Sequence, residues 1–159
     1  MAGADAAYLG EQDLYEQFRL DEPWDGEHNG KLVEKMPQVF ASPGDAAAKP
    51  GTTRYLVPTG KETIFTAPDK AMRLARVLDG CGRTILIVEA EGDKAVPWTK
   101  PEDLPVNFDK PHDGLKNARP TGFVAAFADG HVELIPGDVA ADVLKALFTR
   151  DGGEQVVWP

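Results

Sequence analysis

Residues 84–90 have the sequence Thr-Ile-Leu-Ile-Val-Glu-Ala, which is the strongest strand pattern in the chain. Four large aliphatic side chains follow one another, and three of them, Ile85, Ile87 and Val88, are β-branched. Such side chains favour strands, and an uninterrupted apolar run is typical of a strand that is covered on both faces. The pattern therefore predicts a central strand that is buried on both sides.

Two further β-like runs, 123–128 and 131–135, flank the dipeptide Asp129-Gly130. Runs separated by Asp-Gly are typical of a β-hairpin with a type I′ turn, in which both central residues have a positive φ. Alternation within the runs predicts which side chains share a face: Phe123, Ala125 and Phe127 on one strand, Val132 and Leu134 on its partner. The apolar side chains expected in the core are Ile85, Ile87, Phe123, Phe127, Leu134, Val143 and Leu147.

The remaining patterns complete an α+β fold. Apolar spacing predicts helices over 8–20, 27–36 and 138–150, the last capped by Asp138. Shorter runs predict extended pieces at 38–41, 54–57 and 63–66, a helical turn within 71–78 and an edge strand at 156–158. We expect a small, mostly antiparallel sheet, short N-terminal helices, a long Pro-rich loop and a C-terminal helix. The length predicts one domain over 1–159, with residues 1–7 disordered or foreign to the natural chain.

Composition excludes several classes of function. The 159 residues carry a formal net charge of −9, whereas nucleic-acid binding requires a basic face. The single cysteine, Cys81, excludes an intramolecular disulfide and a multi-cysteine metal site. No apolar run is long enough to cross a membrane, and Met1 to Ala7 do not resemble a secretory signal. We expect no metal and no cofactor.

The segment 91–122 is a long excursion that follows the predicted central strand. Its five prolines, at 97, 101, 105, 111 and 120, leave little room for regular structure. Loops of this length within a domain are uncommon and often functional. Trp98 lies between two of the prolines, so its indole is either a packing anchor for the loop or a shelf for a ligand.

Few side chains suggest catalysis. Glu89 and Glu91 are two residues apart at the end of the predicted central strand, where paired carboxylates could act as acid and base in a hydrolase. The alternative is a solvated strand end or an ion pair with a neighbouring cation. His131 beside Asp129 is typical of turn chemistry, and the surroundings of Cys81 do not include a histidine at a recognisable spacing.

Several segments together resemble the DUF1559 family, which is typical of planctomycetes and related bacteria. The segments are 20–25 (LDEPWD), 34–37 (EKMP), 41–44 (ASPG), 84–90 (TILIVEA), 96–104 (VPWTKPEDL), 127–132 (FADGHV) and 147–154 (LFTRDGGE). Family members usually begin with a prepilin-type leader and an apolar helix, which this chain lacks. The resemblance thus implies a truncated head domain, an engineered fragment or a piece of a longer protein.

The resemblance also implies a structural motif made of Asp79-Gly80 and Asp129-Gly130. The family signature has a histidine, then nine residues, then the second Asp-Gly, and this chain has Arg119 at the histidine position. Arginine neither ligates metals nor titrates near neutral pH, so a histidine role in either process does not carry over. We expect Arg119 to pair with a carboxylate, Glu89 or Asp129, and to hold the long loop against the sheet.

The sequence therefore predicts a non-enzymatic structural or assembly module of a pilin-like or type II secretion pseudopilin-like system. By resemblance, its partners are pilin-like or other envelope proteins, and its location is the cell envelope or the extracellular space. A solute-binding label has also been attached to the family. The first alternative is accordingly a ligand- or solute-binding module that uses the 91–122 loop, with Trp98, Glu89 and Arg119 as binding residues. The second is a carboxylate-based hydrolase.

Overall fold

The structure is a computed structural model that describes residues 9–43, 45, 48–66 and 73–154. The chain forms two compact units, each built from two stretches of sequence. The first unit comprises Met1–Arg54 and Ala95–Glu102, and the second comprises Tyr55–Lys94 and Asp103–Pro159. Compact units also occur within single domains, so the prediction of one domain remains a prediction. The predictions for residues 1–7 and 156–158 lie outside the described residues.

The described residues form two α-helices, eight strands and several 3₁₀-helices. The α-helices are α1 (Gln12–Tyr15) and α2 (Ala141–Phe148). The strands are β1 (Thr52–Thr53), β2 (Tyr55–Leu56), β3 (Pro58–Thr59), β4 (Ile85–Glu89), β5 (Val96–Pro97), β6 (Leu104–Pro105), β7 (Gly122–Phe127) and β8 (Val132–Pro136). The 3₁₀-helices are Asn29–Lys35, Gln38–Phe40, Leu74–Arg76, Cys81–Arg83 and Gly92–Lys94.

The principal sheet lies in the second unit and has the strand order β2-β4-β7-β8. All of its neighbouring strands are antiparallel. The second unit also contains the parallel pair β3-β6, and the first unit contains the antiparallel pair β1-β5. The predicted α+β class is confirmed, with a mostly antiparallel sheet and a C-terminal helix. Among the described residues, no helix combines the length and apolar content that a membrane crossing requires.

Strand β4 occupies an inner position in the sheet, but it is not buried on both faces as predicted. Its pairing with β7 shifts between Ile85 and Ile87, which places a bulge at Leu86. Ile85 and Val88 consequently face the core at 2% and 0% exposure, whereas Ile87 points to the opposite side and is 36% exposed. We call the side of the sheet that carries Ile87 the outer face.

The hairpin of β7 and β8 is confirmed, but its turn differs from the predicted type. The Phe127 N–H donates to His131 O at 2.9 Å, and the Gly130 N–H donates to Phe127 O at 2.9 Å. This hydrogen bonding leaves a three-residue loop over 128–130. Gly130 has a φ of 94°, and no other type of residue in the described part of the chain has a positive φ. A type I′ turn would require a positive φ at Asp129, and a loop with glycine alone in that region avoids the strain.

The predicted core is correct for one face of the hairpin. Phe123, Ala125 and Phe127 are buried together with Ile135 of the partner strand. Leu134, in contrast, is 50% exposed, because it lies opposite Val124 on the outer face. The inclusion of Ile87 and Leu134 in the core was therefore wrong.

The C-terminal helix is shorter than predicted. It begins after Ala140, whose side chain cannot cap it, so the predicted cap at Asp138 is wrong. Val143 is half-buried, and the fully buried side chains of α2 are Leu144, Ala146, Leu147 and Phe148. The Thr84 hydroxyl, at the start of β4, donates to Thr149 O at 3.3 Å and joins the end of the helix to the sheet.

The N-terminal helices are also short. Among the described residues of this region only α1 is an α-helix, and the predicted helix over 27–36 is the 3₁₀-helix Asn29–Lys35. The predicted extended piece at 38–41 is instead the 3₁₀-helix Gln38–Phe40. Short 3₁₀ turns are favoured here because the prolines and glycines of the region interrupt longer helices. Within the ranges that the structure describes, the piece predicted at 63–66 has one strand-like pairing, an isolated bridge between Thr59 and Phe65.

Candidate functional site

The outer face of the four-stranded sheet exposes apolar side chains in two rows. Ile87 lies opposite Ala126, which lies opposite Val132. In the second row Val124 lies opposite Leu134. Directly opposed residues share a face of a sheet, so these five side chains form one surface. Its most exposed members are Val132 at 62%, Leu134 at 50% and Ile87 at 36%.

Glu89 lies on the same face as Ile87, two residues along β4, but its side chain is fully buried. The Arg119 guanidinium covers it, with 2.5 Å between Arg119 Nε and Glu89 Oε2. The Arg119 side chain is 35% exposed. The hydrogen bond to Glu89 raises the pKa of Arg119, and the charges of Glu89 and Tyr55 add to this rise, while burial opposes it. Of the two carboxylates expected to pair with Arg119, the partner is therefore Glu89.

Glu91 is also part of the internal hydrogen bonding of the second unit. Its carboxylate Oε1 accepts a hydrogen bond from the Asn117 N–H at 2.8 Å. Its own N–H donates to Gly114 O at 2.7 Å. Together with the pair of Glu89 and Arg119, these bonds connect the end of β4 to the last part of the 91–122 excursion. Glu89 and Glu91, the two carboxylates of the hydrolase hypothesis, thus both bind the last part of the 91–122 excursion to the end of β4.

Trp98 is a packing anchor of the first unit. Its indole is 1% exposed, and Nε1 donates to Val33 O at 2.9 Å. The ring packs edge-on against Phe18, with centroids 5.8 Å apart, and at a tilt against Phe40, at 5.3 Å. An indole enclosed in this way offers no stacking surface to a ligand, so its position favours the anchor over the shelf.

The two Asp-Gly pairs of the proposed structural motif both organise turns. The Asp79 carboxylate accepts hydrogen bonds from the N–H groups of Gly152 at 2.8 Å and Gly153 at 2.9 Å, and Gly80 adopts a φ of 96°. Asp79 thereby holds the segment that follows α2.

Asp129 organises the tip of the β7–β8 hairpin. The His131 N–H donates to Asp129 Oδ1 at 3.2 Å, and the His131 ring nitrogen Nδ1 lies 2.6 Å from the same oxygen. These two hydrogen bonds lower the pKa of Asp129, the backbone bond contributing most. The His131 ring stacks on Phe127 with centroids 4.3 Å apart.

Two residues with important roles were not identified from the sequence. Asn29 is 3% exposed, and its side chain bonds to the backbone of Arg19, Glu22 and Pro23. It therefore shapes the loop that carries the 20–25 segment. A lone asparagine in a polar stretch gives no pattern from which this role could be inferred.

Arg150, which follows the end of α2, is the second of these residues. Its guanidinium donates to the backbone oxygens of Lys61 and Thr63, both at 2.7 Å. The residues that receive these bonds are nearly ninety positions away, so no local pattern indicates the contact.

The first unit contains an open groove of about 520 Å³. Phe18 and Leu32 supply apolar surface, and the polar lining residues are Glu16, Gln17, Arg19, His28, Lys31 and Lys35. Some of these groups are engaged within the unit: Arg19 pairs with Glu22 at 2.9 Å, and Lys35 Nζ donates to Gln17 Oε1 at 2.7 Å.

No group of three or more potential metal ligands occurs within the part of the chain that the structure describes. Cys81 is free and half-buried.

These features define an α+β protein with one apolar, open sheet face and an internally neutralised carboxylate beside it. The chain belongs to the DUF1559 family, because the family model described as "Protein of unknown function (DUF1559)" matches residues 2–113, which is more than half of the chain. The predicted family is thereby confirmed. The match ends before Arg119 and the β7–β8 hairpin, so the resemblance of those segments remains a prediction. Comparisons with curated proteins and with solved structures found no match.

Proposed function

We propose that this protein is a non-enzymatic structural or assembly module of a pilin-like or type II secretion pseudopilin-like system in the cell envelope. The observation that carries the proposal is the outer face, whose exposed side chains Ile87, Val132 and Leu134 are apolar. Contiguous apolar surface on a soluble domain commonly marks an interaction site, because covering it removes that surface from water.

The state of the carboxylates supports a structural role over hydrolysis. A general acid or base must reach its substrate, whereas the Glu89 side chain is fully buried beneath Arg119. Glu91 accepts a backbone hydrogen bond from the end of the excursion. Both groups are better suited to holding the chain than to transferring protons.

The partners we propose are pilin-like or other envelope proteins that cover the outer face. A photo-activated cross-linking amino acid at position 87, introduced in the cells that make the protein, would test this. We expect cross-links to proteins with a pilin-like leader and apolar helix. The same amino acid at Leu78, which is 76% exposed and belongs to none of the four strands of the sheet, is the matched control. The proposal is wrong if position 87 yields the same products as position 78, or none.

Solute binding is a second candidate, and the groove of the first unit favours it over the Trp98 shelf. Arg19, Lys31 and Lys35 line a partly apolar space of about 520 Å³, and their partners on the same chain are Glu22, Glu27 and Gln17. A small organic anion would bind there by taking the place of these partners. Thermal shift measurements with a panel of carboxylates would test this candidate. Stabilisation of the natural protein that is lost in Lys35→Gln, but kept in Lys49→Gln, would support it. No shift with any member of the panel would exclude binding of that class.

A further inference from the structure

Strand β8 ends the four-stranded sheet, so one side of its backbone is open among the described residues. Its hydrogen bonds to β7 fall at odd-numbered positions, as the bonds from Phe127 to His131 and from Gly137 to Thr121 establish. Because antiparallel ladders alternate, the N–H and C=O groups of Val132 and Leu134 point away from β7. These groups are the pairing edge of the sheet.

This edge lacks most of the features by which proteins block further pairing. Blocked edges usually carry lysine or other charges, an internal proline or a bulge. β8 has one such charge, Glu133, which lies opposite the buried Ala125. The pairing of β7 with β8 is regular from Gly122–Pro136 to Ala126–Val132, and Pro136 stands only at the end of the strand. The outward residues Val132 and Leu134 are apolar and at least half exposed. A second strand therefore gains both backbone hydrogen bonds and apolar contact.

We propose that β8 pairs antiparallel with β8 of a second copy of this chain, with Val132 opposite Val132 of that copy. This interaction goes beyond the proposed pilin-like role and does not require it. A symmetric pair of β8 strands can be centred on Val132, Glu133 or Leu134. In each of these three registers the outward N–H and C=O groups of one copy face those of the other. Charge and hydrogen bonding distinguish between them.

The register centred on Val132 is the one with complementary charge. It places His131 opposite Glu133 of the other copy on both sides of the axis. Within each copy His131 Nδ1 is held by Asp129 at 2.6 Å and Nε2 lies 3.6 Å from Glu133 Oε1, so Nε2 is the ring nitrogen that would meet the second Glu133. The register centred on Glu133 opposes two carboxylates, which is destabilising. The register centred on Leu134 puts Val132 opposite Pro136, which has no N–H to donate.

The same register continues the apolar surface across the two copies. The row of Ile87, Ala126 and Val132 meets the equivalent row of the second copy at the axis, on the outer face of an eight-stranded sheet. Each chain carries a net charge of −9, but at about 0.15 M salt repulsion beyond about 8 Å is largely screened. The test therefore belongs at that ionic strength.

Disulfide trapping in the full chain tests both the pairing and its register. In a Cys81→Ser background, single cysteines are introduced as Val132→Cys, Glu133→Cys and Leu134→Cys, with Leu78→Cys as the exposed control. Facing residues in a hydrogen-bonded pair have Cα atoms about 5.5 Å apart, which suits a disulfide. We expect Val132→Cys to form dimers at least about tenfold faster than Leu78→Cys, because pairing raises the effective thiol concentration.

Two results of the trapping experiment would overturn the proposal. One is a Val132→Cys rate no higher than that of Leu78→Cys, and the other is fastest trapping at position 133 or 134. Sedimentation velocity measures the association without cross-linking. We expect the natural protein to form a dimer, which is lost in Val132→Lys and kept in Leu78→Lys. A natural protein that is monomeric at every concentration would contradict the proposed pairing. Disulfide trapping of the purified Val132→Cys variant needs no envelope protein, whereas cross-linking from position 87 in cells reports other partners, so this proposal and the proposed function can fail separately.

Discussion

Glu89 illustrates at the scale of single residues how this protein uses its charges. A carboxylate on the outer face of a sheet would ordinarily be solvated, yet the Glu89 side chain has no exposed surface and lies 2.5 Å from Arg119. Burial of a charge is costly unless a partner and hydrogen bonds compensate it. Arg119 supplies both, and by doing so closes the base of the 91–122 excursion.

Removal of Arg119 should therefore destabilise the protein. We expect Arg119→Ala to lower the free energy of unfolding by about 1–3 kcal/mol, because it leaves the buried carboxylate of Glu89 without its guanidinium. The partial exposure of Arg119 keeps the loss below that of a fully buried pair. Urea unfolding measures the loss, and limited proteolysis should detect faster cleavage within 103–121.

The control for this experiment is Arg83→Ala, since Arg83 is exposed in the same unit. A double replacement, Glu89→Gln with Arg119→Met, removes both charges and should recover much of the stability. Unchanged stability and unchanged proteolysis of Arg119→Ala would contradict the role of this pair.

Asp129 gives the hairpin tip a dependence on pH. Its pKa is lowered in the folded protein by hydrogen bonds from His131, so its stabilising effect is fully present above the unfolded pKa of about 3.9. The effect is lost as the pH falls through the lowered folded pKa. We expect Asp129→Asn to be less stable than the natural protein above about pH 5, and the difference to be smaller at about pH 2, below the unfolded pKa.

Urea unfolding at the two pH values measures this difference. In a His131→Gln background the side-chain bond is absent, so the pH-dependent part should shrink. A difference between Asp129→Asn and the natural protein that is the same at both pH values would show that the carboxylate charge does not matter at the tip.

At the scale of elements, the β7–β8 hairpin provides much of the core of the second unit. Phe127 has no exposed surface and stacks on His131. Replacement by alanine leaves a cavity, and we expect Phe127→Ala to cost about 3–5 kcal/mol. Thermal or urea unfolding measures the loss. Phe108→Ala, at a half-buried ring, is the matched control and should cost less; an unshifted melting curve for Phe127→Ala would refute the core assignment.

The excursion depends in a similar way on Trp98 within the first unit. We expect Trp98→Ala to cost about 3–5 kcal/mol through loss of packing against Phe18 and Phe40. Trp98→Phe keeps part of that packing but leaves Val33 O without its donor, and should cost about 1–3 kcal/mol.

Far-UV circular dichroism during urea unfolding is the suitable measurement, because both variants alter tryptophan fluorescence. Trp24→Phe, at a half-buried indole, controls for the loss of a tryptophan as such. Equal stability of Trp98→Ala and the natural protein would show that the indole is not an anchor.

At the scale of the whole molecule, the 91–122 excursion takes part in both compact units. Residues Ala95–Glu102 belong to the first unit, where they include β5 and Trp98, and the chain rejoins the second unit at Asp103. The prolines that prevent long regular elements here also keep the extended backbone ordered at low entropic cost. The excursion is thus organised by a few anchors.

The overall charge predicts that nucleic acid is not a partner. With a net charge of −9, the protein should repel a phosphate backbone at all but very high salt. We expect no retardation of labelled duplex DNA in a gel assay at about 50 mM salt, where weak electrostatic binding is strongest. Retardation that weakens as salt increases would reveal a basic surface that the composition conceals.

Much of the fold was predictable because its signals are local. An apolar, β-branched run indicated β4, alternation around Asp-Gly indicated the hairpin, and helical spacing indicated α2. These patterns depend on backbone preference and on contacts between residues close in sequence. The family also followed from short segments. Their physical roles, however, became evident only from partners such as Val33 for Trp98 and Gly152 for Asp79.

The sequence by itself determined strand β4 and the pairing of β7 with β8 as a hairpin, since local periodicity selects them. Only the tertiary structure decided which side of the sheet is covered, because the bulge at Leu86 moves Ile87 to the open face. It also decided that Glu89 receives Arg119, thirty residues away, rather than solvent. Such pairings depend on register and on the return path of the chain, and no pattern within a short window encodes either.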